Sequence, residues 1–516
     1  MLTAHAGFRI LSEPSRDGRA LQFFDPASRA VETSARVRWC WNGRARNLSA
    51  VIRNAPERLQ MTATISSLLP RGAGHQFLLY GDSCSGVPNA LHERTFASVN
   101  AVVRRFHPQP EFILFPRDEI IGLVPDAEAL RAQWRYWLDN EMAWLDRKKT
   151  PMWHTTGNHT AYDEMSEGVF REVLRLPENG PPGQEGLSYW VRRDDLLMVF
   201  VHTLWTGLGS EGHVETEWLA ATLKAHSDAR HKLVLGHHPV HPVNGFSGTY
   251  QREIGHEYAQ RFWDILVEAD ALAYICSHIL AFDVQAHRGV LQICTAGAGT
   301  AHRMPEGVEY LHCVQAALDD EGFRYQVLDI EGTVREWLDW PIRSPGTDQW
   351  QTLPAGESSA LVEGKSADLQ VFALRLRGQT AAIASAPAQT FFSAFAPDAS
   401  PTVWMGLRGP QQTLTIMIWR DPGRSPAYWF GPNLPHDTAF DVDIAFHPAM
   451  GPGGVLYRLD GDTGWSSLAS VTSLGLERLV WPSRWSVGQA QGGEWDRPYK
   501  GPELRVEVFS RSSVTS

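Results

Sequence analysis

Six times between residues 77 and 278 a short apolar run of strand length stops and is followed by a side chain of a type that ligates metals. "FLLY" (77–80) leads to Asp82 and Cys84, and "FILF" (112–115) to Arg117, Asp118 and Glu119. "PMWHTT" (151–156) leads to Asn158-His159, and "LLMVFV" (196–201) to His202. "LVL" (233–235) leads to His237-His238, and "LAYIC" (272–276) to Ser277-His278. Helical periodicity lies between several of these runs: Leu130, Trp134, Trp137, Leu138 and Leu145 share a face, as do Tyr258, Phe262, Ile265 and Leu266. Apolar strands alternating with amphipathic helices predict an α/β domain whose strands are covered on both faces. In such domains ligands bind beyond the carboxyl ends of the strands. Carboxylate and imidazole arriving there together suit a borderline divalent cation such as Zn, Mn or Fe.

Each position alone has a plainer reading. Gly-Asp after a strand is commonly a turn, a lone His there is commonly a hydrogen-bonded structural residue, and Cys84 is as readily a small buried hydrophobe as a ligand. Independent turns have no reason to choose ligand types at almost every strand end. The set therefore argues for a metal site where its single members do not. Asp163 and Glu164, which follow closely, read as solvent-facing or helix-capping residues.

The order Gly-Asp, Asp, Gly-Asn-His, Gly-His-His-Pro and a final His resembles the calcineurin-like metallophosphoesterase superfamily, purple acid phosphatases included, over about residues 76–340. "GNHT" (157–160) and "GHHPVHP" (236–242) are the specific pieces, with "TAGAGTA" (295–301) at the place of a Gly-rich stretch. The resemblance implies a β-sandwich flanked by helices (αββα). It also implies a metal-dependent hydrolase of phosphoric esters, phosphomonoesterase or phosphodiesterase, with one or two cations per chain and Asp118 as their bridge. Asn158, His237 and His278 would complete one cation's shell, and Asp82 would serve the other. His159 would be the general acid or a phosphate contact. Arg117, His238 and His241 are candidates to offset charge on the phosphate oxygens, and His241 reads equally as a surface residue of the turn in "HPVNG".

Three departures bear on that assignment. The family's Asp-x-His is Asp82-Ser83-Cys84, its Gly-Asp is Arg117-Asp118, and its Gly-His-x-His is Ser277-His278-Ile279-Leu280. Both missing histidines would serve the same cation, so one position is expected intact and the other altered. The altered position is empty with Arg117 supplying charge, or rebuilt from Cys84, Glu119 or His202, or lost together with catalysis. The rival class is a catalytically degenerate scaffold that binds a glycan or a protein. A hydrolase of non-phosphate esters is a third reading, because hydroxide generation is not tied to phosphorus.

The flanks differ in texture. Residues 1–75 are expected to form a small β-rich segment, 76–345 the metallophosphoesterase-like domain with hairpins over 310–338, and 346–365 a Pro/Gly/Ser-rich linker. Residues 366–516 alternate as in an all-β sandwich. Over about 366–512 they resemble a concanavalin A-like jelly roll of the laminin-G type, a module that often binds carbohydrate and in other cases serves only as a packing partner. Trp404, Trp419, Trp429, Trp465, Trp481 and Trp485 would then form a stacking platform, or else, as aromatics on strands, the core. A net charge of −11 over 516 residues argues against a broad nucleic-acid surface. The absence of any run near ~18 apolar residues argues against a membrane partner. Five cysteines (Cys40, Cys84, Cys276, Cys294, Cys313) make no disulfide framework. No secretory signal opens the sequence, so a cytoplasmic location is the expectation.

Overall fold

The computed structural model describes residues 63–116, 118–208, 212–245, 254–300, 310–341, 350–358, 372–382, 387–396, 398, 400–419, 424–472, 475, 484–489 and 497–509. Most of the expected N-terminal β-rich segment, Arg117 and Trp481 lie outside them. Residues 65–340 form β1 (Ile65–Ser66), β2 (Gly74–Leu79), β3 (Phe106–His107), β4 (Phe112–Phe115), β5 (Met152–His154), β6 (Tyr189–Arg193) and β7 (Leu196–Phe200). They continue with β8 (His231–Leu235), β9 (Ala273–Cys276), β10 (Phe282–His287), β11 (Val290–Thr295), β12 (His312–Asp319), β13 (Gly322–Asp329) and β14 (Val334–Trp340). The helices are α1 (Leu91–Val103), α2 (Ala127–Tyr136), α3 (Glu164–Leu174), α4 (Thr216–Ala225) and α5 (His256–Glu268).

The strands that read in sequence as one series sort into two six-stranded mixed sheets, ordered β14-β13-β12-β2-β4-β5 and β10-β11-β9-β8-β7-β6. β2, β4 and β5 are parallel in the first, and β7, β8, β9 and β11 in the second. Strand alternation shows why these strands are apolar throughout. Leu196, Met198 and Phe200 of β7 join the core between the sheets, while Leu197 and Val199 pack with Leu219 and Leu223 of α4 and Phe262 and Leu266 of α5. Phe96 of α1, Trp134 of α2 and Phe170 of α3 join the same large cluster as Leu196, Met198 and Phe200. The Asp163 side chain caps α3 in a reciprocal box with Ser166. The 310–338 region is the antiparallel meander β12-β13-β14. Among the described residues no helix is long and apolar enough to cross a membrane.

Residues 350–509 form a six-stranded and a seven-stranded antiparallel sheet around one apolar core. The 346–365 stretch, expected as a linker, is not one throughout. Trp350–Leu353 pairs with Leu504–Phe509 and Gly356–Ser358 with Arg484–Val487, so the sandwich begins before residue 366. Among the described residues only Pro354 and Ala355 separate these two strands. The sandwich also closes the exposed edge of β10: Ala286 N and Arg288 N donate to Ser467 Oγ and Ser466 Oγ at 3.0 and 2.9 Å. The approach needs glycine at two points, since a Cβ at Gly453 would fall on Val284 O and one at Gly464 on Gly289 Cα.

At the amino ends of the strands the two sheets are tied by His75 of β2. Its Nε2 lies 3.0 Å from Asp195 Oδ1 and its Nδ1 3.6 Å from Glu111 Oε2. These carboxylates, Glu111 foremost, raise the imidazole above its ordinary pKa. A raised histidine stabilises the fold fully below its unfolded pKa, and that contribution is lost as pH rises through the folded value. His75→Gln is therefore expected to lower the urea midpoint most below about pH 6.5. The gap to wild type should narrow as pH rises through the raised value, and an equal gap at all pH values would exclude the linkage.

Candidate metal centre

The residues that follow β2, β4 and β5 in one sheet and β8 and β9 in the other come together. His237, just past β8, is fully buried, and its Nε2 stands 2.9 Å from Asn158 Oδ1, 3.1 Å from His278 Nδ1 and 3.3 Å from Asp118 Oδ2. Ser277 fixes the ring. Its hydroxyl donates to Pro116 O at 2.8 Å, so Oγ accepts from His237 Nδ1–H at 3.2 Å. In that tautomer Nε2 turns a lone pair toward two oxygen acceptors, an arrangement that a cation satisfies. Donors about 2.1 Å from one cation stand about 3.0–3.4 Å apart, from octahedral to tetrahedral. The observed separations lie in or beside that range. Asn158, His159 and His278 are only half-buried and form the open side of the cluster, while Asp82 and Asp118 line its floor.

The backbone is held in an unusual state here. Asp82, Cys84, Asp118 and His278 all have positive φ, at 61°, 39°, 47° and 69°. Non-glycine residues adopt that region at a cost and cluster at functional sites. Neighbouring loops lock them: Cys84 N donates to Asp118 O at 2.6 Å, and His278 N to Asp82 Oδ2 at 3.0 Å. The Gly-rich stretch serves the same loops, with Ala298 N on Gly81 O at 2.8 Å and Thr300 N on Asp82 O at 2.9 Å.

The ligand-type side chains fall into three buried or half-buried groups, each with its donor atoms within 4.8 Å of one another. These are His237/His238/His278, Asp82/Asp118/His237 and Cys84/Asp118/His159, so Asp118 is common to the last two. His238, expected to offset phosphate charge, instead lies among the ring nitrogens, with Nδ1 2.8 Å from Thr203 Oγ1. His159 donates Nδ1–H to Ile121 O at 2.6 Å, which leaves Nε2 for the centre. Burial, with Asp118 and Asp82 adding, pushes the Cys84 thiol well above its usual range.

Three expected residues are not brought in. His202 is fully buried, but its Nδ1 pairs with Thr156 Oγ1 and its Nε2 lies 3.7 Å from Glu167 Oε1. Glu119 turns away to His154 Nδ1 at 2.7 Å. Neither rebuilds the altered position. His241 stacks on His287 at 3.5 Å and packs edge-on against Trp263, and burial holds its imidazole at about 4, so it carries no positive charge for a phosphate. Arg117 is outside the described residues. In the sandwich, Trp404, Trp419, Trp429, Trp465 and Trp485 are buried, which makes them core and not a sugar-stacking platform.

Sequence reasoning missed Ser277, whose only signal was its place beside His278. Ser277→Ala is expected to weaken divalent-cation binding by about 10–100-fold, the usual effect of removing a hydrogen-bond partner of a ligand. Titration with Co2+ checks it, and an unchanged affinity would show that the ring needs no such anchor.

The fold and cluster thus define a carboxylate–carboxamide–imidazole centre where two mixed sheets meet at their strands' carboxyl ends. No protein-family model matches the sequence, and no curated protein matches it. Among solved structures the chain is similar to GAP50, the anchor in the inner membrane complex of Plasmodium, at 13% identity over 54% of this chain and 91% of that one, TM-score 0.39. It is similar to a purple acid phosphatase from yellow lupin (Lupinus luteus) seeds at 12% identity over 52% of this chain and 54% of that one, TM-score 0.39. A sialidase carbohydrate-binding module of Ruminococcus gnavus, solved with sialyllactose, is matched at 9% identity over 32% of this chain and 93% of that one, TM-score 0.23. Likeness of this degree carries no weight on activity.

Proposed function

We propose that the protein is a metal-dependent hydrolase of phosphoric esters. The observation that carries this reading is the approach of Asn158 Oδ1, His278 Nδ1 and Asp118 Oδ2 to within 2.9–3.3 Å of His237 Nε2. The donor set fits a divalent cation of the Zn, Mn or Fe type, because it combines imidazole with hard oxygen and is neither all-oxygen nor all-sulfur. Asp118, Asn158, His237 and His278 would hold it. A cation in such a site supplies Lewis acidity toward a phosphoryl oxygen and lowers the pKa of a water toward neutrality.

The chain's own residues do the rest. Half-buried Asn158, His159 and His278 admit a small ester from the open side. Ser277 keeps His237 in the tautomer that faces the centre. Buried Asp82 and Asp118 bring negative charge to the floor, which a cation balances and a bare phosphate would not. The rival reading, a scaffold that binds a glycan or a protein, rests on the two missing histidines; the described sandwich tryptophans are buried and lend it no stacking platform.

The test is elemental analysis of the purified protein together with turnover of p-nitrophenyl phosphate and its bis-ester. Bound metal with hydrolysis that a chelator abolishes and added metal restores is the expected outcome. A chain that binds no divalent cation and turns over neither ester would overturn the proposal. Hydrolysis of sulfate or carboxylate esters alone would redirect it to another substrate class.

A further inference from the structure

We infer that the altered cation position is rebuilt as a thiolate site, in which Cys84, Asp118 and His159, with Asp82 beside them, hold a second, thiophilic divalent cation. The inference rests on the metal-dependent reading of the centre and specifies its second half. Donor atoms of Cys84, Asp118 and His159 lie within 4.8 Å of one another, and Asp82 and Asp118 form a further group with His237. One carboxylate, that of Asp118, therefore faces both positions.

Each member is fixed by its own loop and by a different partner. Cys84 follows β2, and its carbonyl accepts from His92 Nδ1 at 2.8 Å while its N–H donates to Asp118 O at 2.6 Å. Asp118 follows β4, and its Oδ1 accepts from His159 N at 3.2 Å. His159 follows β5, with Nδ1–H committed to Ile121 O, so that Nε2 is the nitrogen left to ligate. Leu280 offers no ligand atom at the other missing histidine, and His159 supplies an imidazole in its stead. This assigns His159 to the cation and not to protonation of a leaving group. Glu119 is held by His154, and His202 is held by Thr156 and sits beside Glu167, away from the three groups. A set of thiolate, imidazole and carboxylate selects zinc-like ions over magnesium or calcium, and binding releases the thiol proton to solvent.

Cobalt(II) alone, added to the full-length, metal-stripped protein, tests this, because a thiolate ligand gives a near-ultraviolet sulfur-to-cobalt charge-transfer band that oxygen and nitrogen ligands do not. Two equivalents and the band are expected for the wild type. Cys84→Ser should lose the band and one equivalent, and His159→Ala should fall to one equivalent. Cys84→His should keep two equivalents without the band, which separates lost coordination from lost folding. His237→Ala should lose the other equivalent and keep the band. A single equivalent that His237→Ala removes, with no band in the wild type, would overturn the thiolate site and leave the proposed hydrolase standing. Two equivalents retained in His159→Ala would overturn that residue's place in it. No cobalt binding at all would remove both proposals together.

Discussion

On the proposed metal-dependent reading, alanine at Asn158, His237 or His278 is expected to strip that divalent-cation position and to lower phosphoric ester turnover by more than about 10²-fold, since loss of a ligand exceeds the 10–100-fold typical of losing a ligand's outer partner. The three differ in what else they disturb. His237 is fully buried, so its truncation also opens a cavity and breaks the bond to Ser277. Asn158 and His278 are half-buried on the open side and should leave the fold nearly untouched. Asn158→Ala is thus the cleanest variant: metal content and turnover should fall while the denaturation midpoint stays near wild type. Asn158→Asp should retain the cation, because a carboxylate replaces the amide oxygen at the same reach. Full metal stoichiometry in all three alanine variants would mean that these donors, although adjacent, do not share an ion.

What the sequence made legible follows from periodicity. Apolar runs that end in Asp, Asn or His are visible without coordinates, and Asp118, Asn158, His237 and His278 were all found that way. The sequence does not show where a side chain turns after the strand ends. His202 stands at a strand end like His237, yet Thr156, distant in the chain, holds its Nδ1, and its Nε2 lies beside Glu167, 3.7 Å from Oε1. Glu119 neighbours Asp118, but the left-handed backbone at Asp118 sends successive side chains apart, and His154 receives the carboxylate. His241 reads as a cleft residue from its motif, and only the packing of Trp263 and His287 around it shows that it is a neutral core ring. The two-sheet sandwich is expected from the family resemblance alone, and which strand joins which sheet is hidden for a similar reason: strand pairing is decided by partners that local pattern does not name. Tryptophans at strand positions read more readily as core than as a platform, and the burial of Trp404, Trp419, Trp429, Trp465 and Trp485 agrees.

Trp137→Ala is expected to lower stability by about 3–5 kcal/mol, the range for truncating a large buried aromatic. It should also weaken cation binding while the protein is still folded. Trp137 opens the π turn Trp137–Glu141 that continues α2, and it is fully buried. Its ring stacks on Phe96 at 5.9 Å and meets Phe115 edge-on at 5.5 Å, at the end of β4. Its indole N–H donates to Ser83 Oγ at 3.2 Å, and that hydroxyl donates to Glu119 O at 2.7 Å. Ser83 stands between Asp82 and Cys84, and Glu119 directly follows Asp118, so a single side chain braces the two loops that carry both carboxylates. Trp137→Phe keeps much of the packing and removes the donor, at about 1 kcal/mol for the hydrogen bond. It should therefore lose less stability than alanine yet still loosen the cation. Urea midpoints and cobalt affinities of the two variants separate packing from positioning. If both variants bind cobalt as tightly as wild type despite the lost stability, the strained turns at Asp82, Cys84 and Asp118 are held from within the loops and owe nothing to the core beneath them.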